Sequence, residues 1–201
     1  MCSTIRKCII LQQSMIPIKN KKKNLEATVE EMRNFSFAYI EKYAPSKQQL
    51  KTYLLKKYIK ANIPSINKSS INDLINVVLE DLEKTKFIND KFYSNSKAKS
   101  LIQRGNSINK IRSYLFSKGI KDKHIKSTLD EIIAKNEDQD FFSAIKLCKK
   151  KRIGPVRAED NRTLFYKKDI SLLARNGFDF ETSKKVMDIE KNEYLKIVNL
   201  L

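Results

Sequence analysis

The chain has 201 residues, of which 41% are hydrophobic, and a formal net charge of +18. This length and apolar content support a hydrophobic core, which excludes wholesale disorder, and four glycines are few for a sheet protein. The electrostatic field of so positive a chain attracts polyanions, but net charge does not determine a fold. Only eight of the 41 basic residues are arginine; part of the lysine excess fits the drift of an AT-rich genome, so the arginines are the better indicators of function.

The N-terminal segment carries a run of bases without an acid. These residues are Lys19, Lys21, Lys22 and Lys23. Such runs are usually solvated tails, the alternative being an arm that touches nucleic acid. We therefore predict a basic, partly disordered extension over residues 1–32, with Met1 or Met15 as its start. Its apolar run at 8–11 is too short for a signal peptide or a membrane span, so no membrane partner is expected.

From residue 25 onward almost every segment has the apolar periodicity of an α-helix. The first predicted helix covers 25–43 and ends before Pro45. Ser46 and Gln49 form the pattern of a capping box, which predicts the start of a second helix. Pro64 ends that helix.

A polar loop then leads to a third predicted helix over 71–84. The next helix is predicted to begin at Asp90 and to end at Gly105, and the one after it to begin at Ser107 and to end at Gly119. A further helix is predicted to begin at Asp122.

Segments 46–57 and 107–118 have chemically similar residues at equivalent positions. Both read Ser-x-x-polar-(Leu/Ile)-(Lys/Arg)-(Thr/Ser)-Tyr-Leu-apolar-x-Lys. A fainter echo joins 115–120 to 173–178. Self-similarity of this kind is typical of stacked helical units, which form elongated binding surfaces rather than catalytic pockets.

We predict an all-α fold of tandem three-helix repeats that form an elongated, curved helical array. The third repeat is expected to begin with a helix capped by Asp138, to continue with a long helix closed by Gly177, and to end with a helix opened at Asp179. The predicted repeats cover 33–86, 87–136 and 137–201.

The sequence has few of the residues that catalytic and metal-binding sites commonly use. Cys2, Cys8 and Cys148 show no C-x-x-C spacing, so neither a disulfide framework nor a zinc site is predicted, and a reducing cytoplasmic setting follows. The single histidine, His124, is expected at the surface. The scattered glycines cannot form a phosphate-binding loop, and we predict no cofactor and no enzyme activity.

Acids such as Glu80 and Asp81, or Asp130 and Glu131, occur in pairs on exposed helix faces. We interpret these carboxylates as solvated charges or a counter-face, not as an acid–base pair.

A basic binding face is the main functional prediction, because arginine and lysine clusters recognise phosphate and carboxylate groups. The alternative is a merely solvated face. The predicted contact residues are Lys51, Arg104, Arg112, Lys149, Lys150, Lys151, Arg152, Arg157, Arg162, Lys167, Lys168 and Arg175. Tyr53 and Tyr114 occupy equivalent repeat positions, and we interpret them as repeat core in preference to a base-stacking platform.

Several segments together resemble the RecX family, bacterial regulators of the RecA recombinase. They are 87–92, Arg104-Gly105, 110–115, Lys118-Gly119 and 172–178, over a resemblance covering 33–190. Segments 152–157 and 167–169 resemble the alphaproteobacterial version. The chain departs from the family at Asn106-Ser107, in the enlarged loop at 64–70 and over residues 1–24.

The resemblance implies a monomeric, non-enzymatic regulator that lies in the groove of the RecA filament. It would inhibit ATP hydrolysis, strand exchange and co-protease activity, and so act in recombination, DNA repair and the SOS response. Its partners would be the RecA filament and, through weak electrostatic contacts, single-stranded DNA. Two alternatives stay open: a helical DNA-binding protein or transcription regulator, because three-helix units imitate helix-turn-helix domains, and a structural adaptor inert toward DNA.

Overall fold

The structure is a computed structural model that describes residues 25–61 and 67–200. Over these residues the chain forms ten α-helices and no β-strand, which confirms the all-α prediction. The helices are α1 (Val29–Tyr43), α2 (Lys47–Ala61), α3 (Lys68–Lys84), α4 (Asp90–Gln103), α5 (Ile108–Ser117), α6 (Asp122–Lys135), α7 (Gln139–Lys151), α8 (Glu159–Arg175), α9 (Phe180–Met187) and α10 (Lys191–Leu200). A 3₁₀ turn, Gly154–Val156, separates α7 from α8.

The apolar stripes of the helices converge on three separate cores. The first group, α1 to α3, buries Leu50, Leu54 and Tyr58. The second group, α4 to α6, buries a core that includes Ile111 and Leu115. The third group, α7 to α10, surrounds a core of residues 144–194. Each group therefore has its own hydrophobic interior, as expected of helical units in series.

The first helix begins at Val29, four residues after the predicted helix start but before residue 33, where the first repeat was predicted to begin. Thr28 caps α1 by accepting a hydrogen bond from the backbone N–H of Glu31, whose carboxylate accepts one in return from the N–H of Ala27. This reciprocal cap draws Ala27 and Met32 into the core, where both are buried. The predicted end of the extension at residue 32 therefore lies inside α1. The lysines at 19–23, and the predicted break at Pro64, lie outside the described residues.

The third group has four α-helices where the sequence analysis expected three. The additional helix, α10, follows the short helix α9 and packs Tyr194, Ile197 and Val198 against the core of the third group. These residues lie one helical turn apart and so form one apolar face. The repeat boundaries themselves stay predictions, and the first core continues past the boundary at 86 to include Ile88.

The predicted capping box at the start of α2 is confirmed. The Ser46 hydroxyl accepts from the N–H of Gln49 at 3.2 Å, and the Gln49 side chain accepts from the N–H of Ser46 at 3.1 Å. The same hydroxyl donates its own hydrogen to the carbonyl of Lys118, at the end of α5, at 2.8 Å. Ser46 therefore begins one helix and satisfies the end of another.

The same contact recurs between α5 and α8. The Ser107 hydroxyl accepts from the N–H of Lys110 at 3.1 Å and donates to the carbonyl of Asn176 at 2.7 Å. Gly177, at φ +86°, closes α8 there, and a Cβ at this position would lie 2.6 Å from the Ser107 oxygen. Only glycine combines this left-handed conformation with so close an approach.

A carboxylate from the next group completes each junction. Asp90 accepts a hydrogen bond from the N–H of Lys47, the first residue of α2, at 2.9 Å. Asp140 does the same for Ile108, the first residue of α5, at 2.8 Å. An anion at a helix N-terminus is favourable.

The predicted cap of α4 by Asp90 is therefore wrong, because Asn89 caps that helix by accepting from the N–H of Phe92. Asp138 likewise makes no side-chain cap on α7.

These contacts place three helices end to end, because α8 ends at the start of α5 and α5 ends at the start of α2. At 1.5 Å per residue, their combined length is roughly 60 Å. The arrangement orders the groups and joins one helix of each to the next in the sequence α8, α5, α2, which we call a row.

Replacing either junction serine by alanine should lower the free energy of unfolding by about 1–2 kcal/mol, because each change leaves a helix N–H and a carbonyl of the next group without a partner. Urea unfolding of Ser46→Ala and Ser107→Ala, followed by circular dichroism, measures the loss. Ser113→Ala is the control, since the exposed Ser113 hydroxyl donates only to the carbonyl of Asn109 in its own helix. Equal stability of Ser107→Ala and Ser113→Ala would contradict the structural role of the junctions.

Candidate functional site

Two of the three helices that lie end to end carry bases and no acid. Helix α2 has five lysines and no acid, and α5 has Lys110 and Arg112 and no acid. By contrast, α3 alone carries four carboxylates. Helix α8 has two acids in its first turn and a third, Asp169, that is buried. We call the solvent-facing side of α2, α5 and α8 the basic row.

Five of the predicted contact residues belong to this row. They are Lys51, Arg112, Lys167, Lys168 and Arg175. All are exposed except Lys51, which is half-buried and donates to the side chain of Asn76. Arg112 borders an open groove of about 660 Å³ between α5 and α6, together with Phe116 and Lys126. The row therefore presents cations along its whole length.

A second group of predicted residues lies off the row, at the end of α7. Lys149, Lys150 and Lys151 form the last turn of α7, and Arg152 follows in the left-handed conformation. Cations are favoured at a helix C-terminus, which gives these side chains a structural reason to be there.

Arg104 lies near the same helix. The adjoining Gly105 contacts α7 so closely that a Cβ would meet the carbonyl of Ser143 at 2.9 Å. The structure thus places the backbone that follows Arg104 against α7.

Arg157 is engaged within the protein. Its guanidinium donates to both carboxylate oxygens of Asp169, at 2.7 and 2.9 Å, and lies over the ring of Phe165 at 4.5 Å. Asp169 also accepts a hydrogen bond from the N–H of Gly154 at 2.9 Å. Burial alone would raise the pKa of Asp169, but the bonds from Arg157 and Gly154 outweigh it and hold the pKa below its ordinary value. The pair fastens the 3₁₀ turn to α8.

Arg162 is also committed internally. Its guanidinium donates to the backbone carbonyls of Met187 and Ile189, so it ties α8 to the segment between α9 and α10. Arg157 and Arg162 thus each have a structural role inside the third group, and their predicted role as contact residues stays a prediction. Both were assigned from composition, which does not reveal a partner that lies elsewhere in the fold.

Several cations of the basic row were not among the predicted contact residues. They are Lys56, Lys57, Lys60, Lys110 and Lys118. The sequence feature that could have identified these lysines is the absence of acids from α2 and α5. It is visible when those segments are compared with α3, which carries four carboxylates. Lys110 donates to the side chain of Asn176 across the α5–α8 junction, so one of these cations also joins two groups.

The described residues contain no group of three or more His, Cys, Asp or Glu side chains that could hold a metal ion. The one histidine, His124, is half-buried on α6. Among the helices at 29–61 and 68–200, none is long and apolar enough to cross a membrane.

No protein-family model matches the chain. The regulatory protein RecX of Myxococcus xanthus strain DK1622 is 28% identical over 163 residues, which cover 78% of this chain and 84% of that protein. A crystal structure of regulatory protein RecX matches with a TM-score of 0.55 at 18% identity, over 80% of this chain and 74% of that chain. The crystal structure of RecX from Lactobacillus salivarius matches with a TM-score of 0.54 at 15% identity, over 86% and 97%.

The fold and the basic row together define an all-α protein of stacked helical groups built around an extended cationic surface. Within that class, the sequence relative and the two matching folds all carry the same name, RecX. The chain therefore resembles the RecX regulatory proteins in sequence over most of its length and in its all-α fold.

Removal of the Asp169 carboxylate should destabilise the third group. Asp169→Ala leaves the half-buried Arg157 without its partner, and we expect the free energy of unfolding to fall by about 3 kcal/mol at neutral pH. The pKa of Asp169 is lower in the folded chain than in the unfolded chain, so its contribution is present above the unfolded value and is lost as pH falls through the folded one.

Urea unfolding of the wild type and Asp169→Ala at several pH values measures this difference, which should shrink below about pH 4. Asp160→Ala, an exposed change in the same helix, is the control. A difference that stays constant down to the lowest pH would contradict the assignment.

Proposed function

We propose that the protein binds the RecA filament on single-stranded DNA and inhibits its ATP hydrolysis, strand exchange and co-protease activity. The observation that carries this proposal is the basic row: three helices end to end, of which α2 and α5 have no acid. The similarity of the chain to the regulatory protein RecX of Myxococcus xanthus supports the same function.

The geometry suits an extended partner better than a compact one. A row of roughly 60 Å spaces its cations over a distance that a small ligand cannot span. A filament repeats its protein surface and its phosphates along its axis, so several weak contacts form at once and their affinities multiply. The alternatives of a sequence-reading DNA-binding protein and of an inert adaptor have no comparable feature in the described residues.

Charge reversal on the row should weaken inhibition of RecA. In the Arg112→Glu/Arg175→Glu variant, two exposed cations become anions that repel an anionic partner, and the concentration required for half-inhibition should rise about tenfold or more. The measurement is ATP hydrolysis by RecA from the same organism on single-stranded DNA, titrated with this protein below one molecule per RecA.

Lys191→Glu is the matched control, because it reverses one exposed charge in the first turn of α10, away from the row. Wild type and control should inhibit equally. Absence of inhibition by the wild type at an excess over RecA, with free single strand still available, would contradict the proposal.

Binding to single-stranded DNA without RecA should be weak and should decrease steeply with salt, because each phosphate contact releases counterions. Fluorescence anisotropy with a labelled oligonucleotide, at several salt concentrations, gives the slope of log affinity against log salt. Arg112→Glu should reduce that slope by about one, while Lys191→Glu should leave it unchanged. An affinity independent of salt, or a preference for one duplex sequence, would favour the alternatives.

A further inference from the structure

Three tyrosines form a stack beside the α2–α5 junction. The rings of Tyr39 on α1 and Tyr53 on α2 lie parallel, with centroids 4.1 Å apart and an interplanar angle of 11°. Tyr43, the last residue of α1, lies against Tyr39 at 4.8 Å and 46°. We call Tyr39, Tyr43 and Tyr53 the tyrosine stack.

Tyr39 and Tyr53 pack against the first core, but the stack is less buried than two other tyrosines of the fold. Tyr58 is fully buried and its hydroxyl donates to Glu31 at 2.9 Å, and Tyr194 is buried with its hydroxyl directed to the carbonyl of Ile145. In the stack, Tyr43 is 53% exposed and the other two rings are half-buried. Their hydroxyls have no hydrogen-bond partner among residues 25–61 and 67–200. The sequence analysis placed Tyr53 in the repeat core, and the structure packs it against that core with part of the side chain still exposed.

An open cleft of about 370 Å³ lies at the same place, on the basic row. Tyr39 and Tyr53 line it together with Lys56 of α2 and Lys118 at the end of α5. Its remaining lining groups are amide and hydroxyl side chains, and no carboxylate is among them. Lys42 adds a cation 5.3 Å above the Tyr43 ring. Aromatic rings, hydrogen-bonding side chains and cations therefore occur together in one concave site.

We propose that this cleft is a stacking site for an unpaired nucleobase of single-stranded DNA, with Lys56 and Lys118 on the flanking phosphates. The inference rests on the proposed function and deepens it, since it adds contacts to bases where the basic row supplies contacts to phosphates. Sequence-tolerant single-strand binding commonly combines a cationic groove with aromatic rings, because every base has a π-face.

The chemistry favours a single strand over a peptide partner. The cleft has cations without an acid, so it complements phosphates, whereas a peptide of mixed charge gains no such advantage. It also favours a single strand over a duplex, because the bases of a duplex are already stacked on one another and do not present their faces. The contact is expected to tolerate all four bases.

The test compares oligothymidylate with an abasic strand of the same length and charge, using fluorescence anisotropy on the full chain. Wild type should bind oligothymidylate about tenfold more tightly. Tyr53→Leu keeps an apolar side chain at the core rim but removes the ring, and it should bring the two affinities together, whereas Tyr53→Phe should retain the difference. Tyr43→Ala, an exposed change, is a second variant that tests the stack without entering the core.

Phe180→Leu is the matched control, because it removes an exposed aromatic ring from α9, off the basic row. Equal wild-type affinity for the two strands would overturn the base contact and leave the proposed regulation of RecA intact, since phosphate contacts alone support it. A tenfold preference that persists in both Tyr53→Leu and Tyr43→Ala would overturn the location. Loss of RecA inhibition with unchanged strand binding in those variants would assign the cleft to a protein partner instead, and so overturn the proposal.

Discussion

The architecture depends on a serine hydroxyl at each of the two junctions between helical groups. A serine hydroxyl accepts from the first turn of its own helix and donates to the last carbonyl of a helix in the next group, at Ser46 and again at Ser107. Each hydroxyl has one hydrogen to give and lone pairs to receive, so a single side chain satisfies two helix ends that would otherwise lack partners. Burial of both serines removes competition from water and fixes the order of the groups.

The basic row follows from these junctions. Because α8, α5 and α2 meet end to end, bases that are far apart in the sequence become neighbours along one surface. Helices α3 and α6 carry acids that form ion pairs with bases of the same helical group. Asp81 of α3 pairs with Arg33 of α1, and Glu131 of α6 pairs with Lys91 of α4. Charge is therefore partly sorted by helix, since α2 and α5 carry no acid whereas α3 carries four carboxylates.

Much of the fold could be predicted from the sequence, because its signals are local. The capping box at Ser46, the glycine at the end of α8 and the recurring Tyr-Leu segment each reflect the conformation of a few adjacent residues. Roles that depend on distant partners could not be predicted. Asp90 has the composition and position of a cap for α4, but its carboxylate reaches α2, 43 residues away. The internal partners of Arg157 and Arg162, which are Asp169 and two backbone carbonyls, are likewise not visible in the sequence.

The N-terminus of α8 differs from those of α2 and α5. Ala158 precedes α8 where serines precede the other two, and it makes no side-chain cap. A methyl group can neither accept from the helix nor donate to a carbonyl, so the start of α8 lacks both hydrogen bonds that Ser46 and Ser107 make. The first turn of α8 instead carries Glu159 and Asp160, which are exposed and suit the positive end of the helix dipole. Two helices of the row therefore begin in a shared hydrogen-bonded junction, whereas the third begins with solvent-exposed charge, which salt screens.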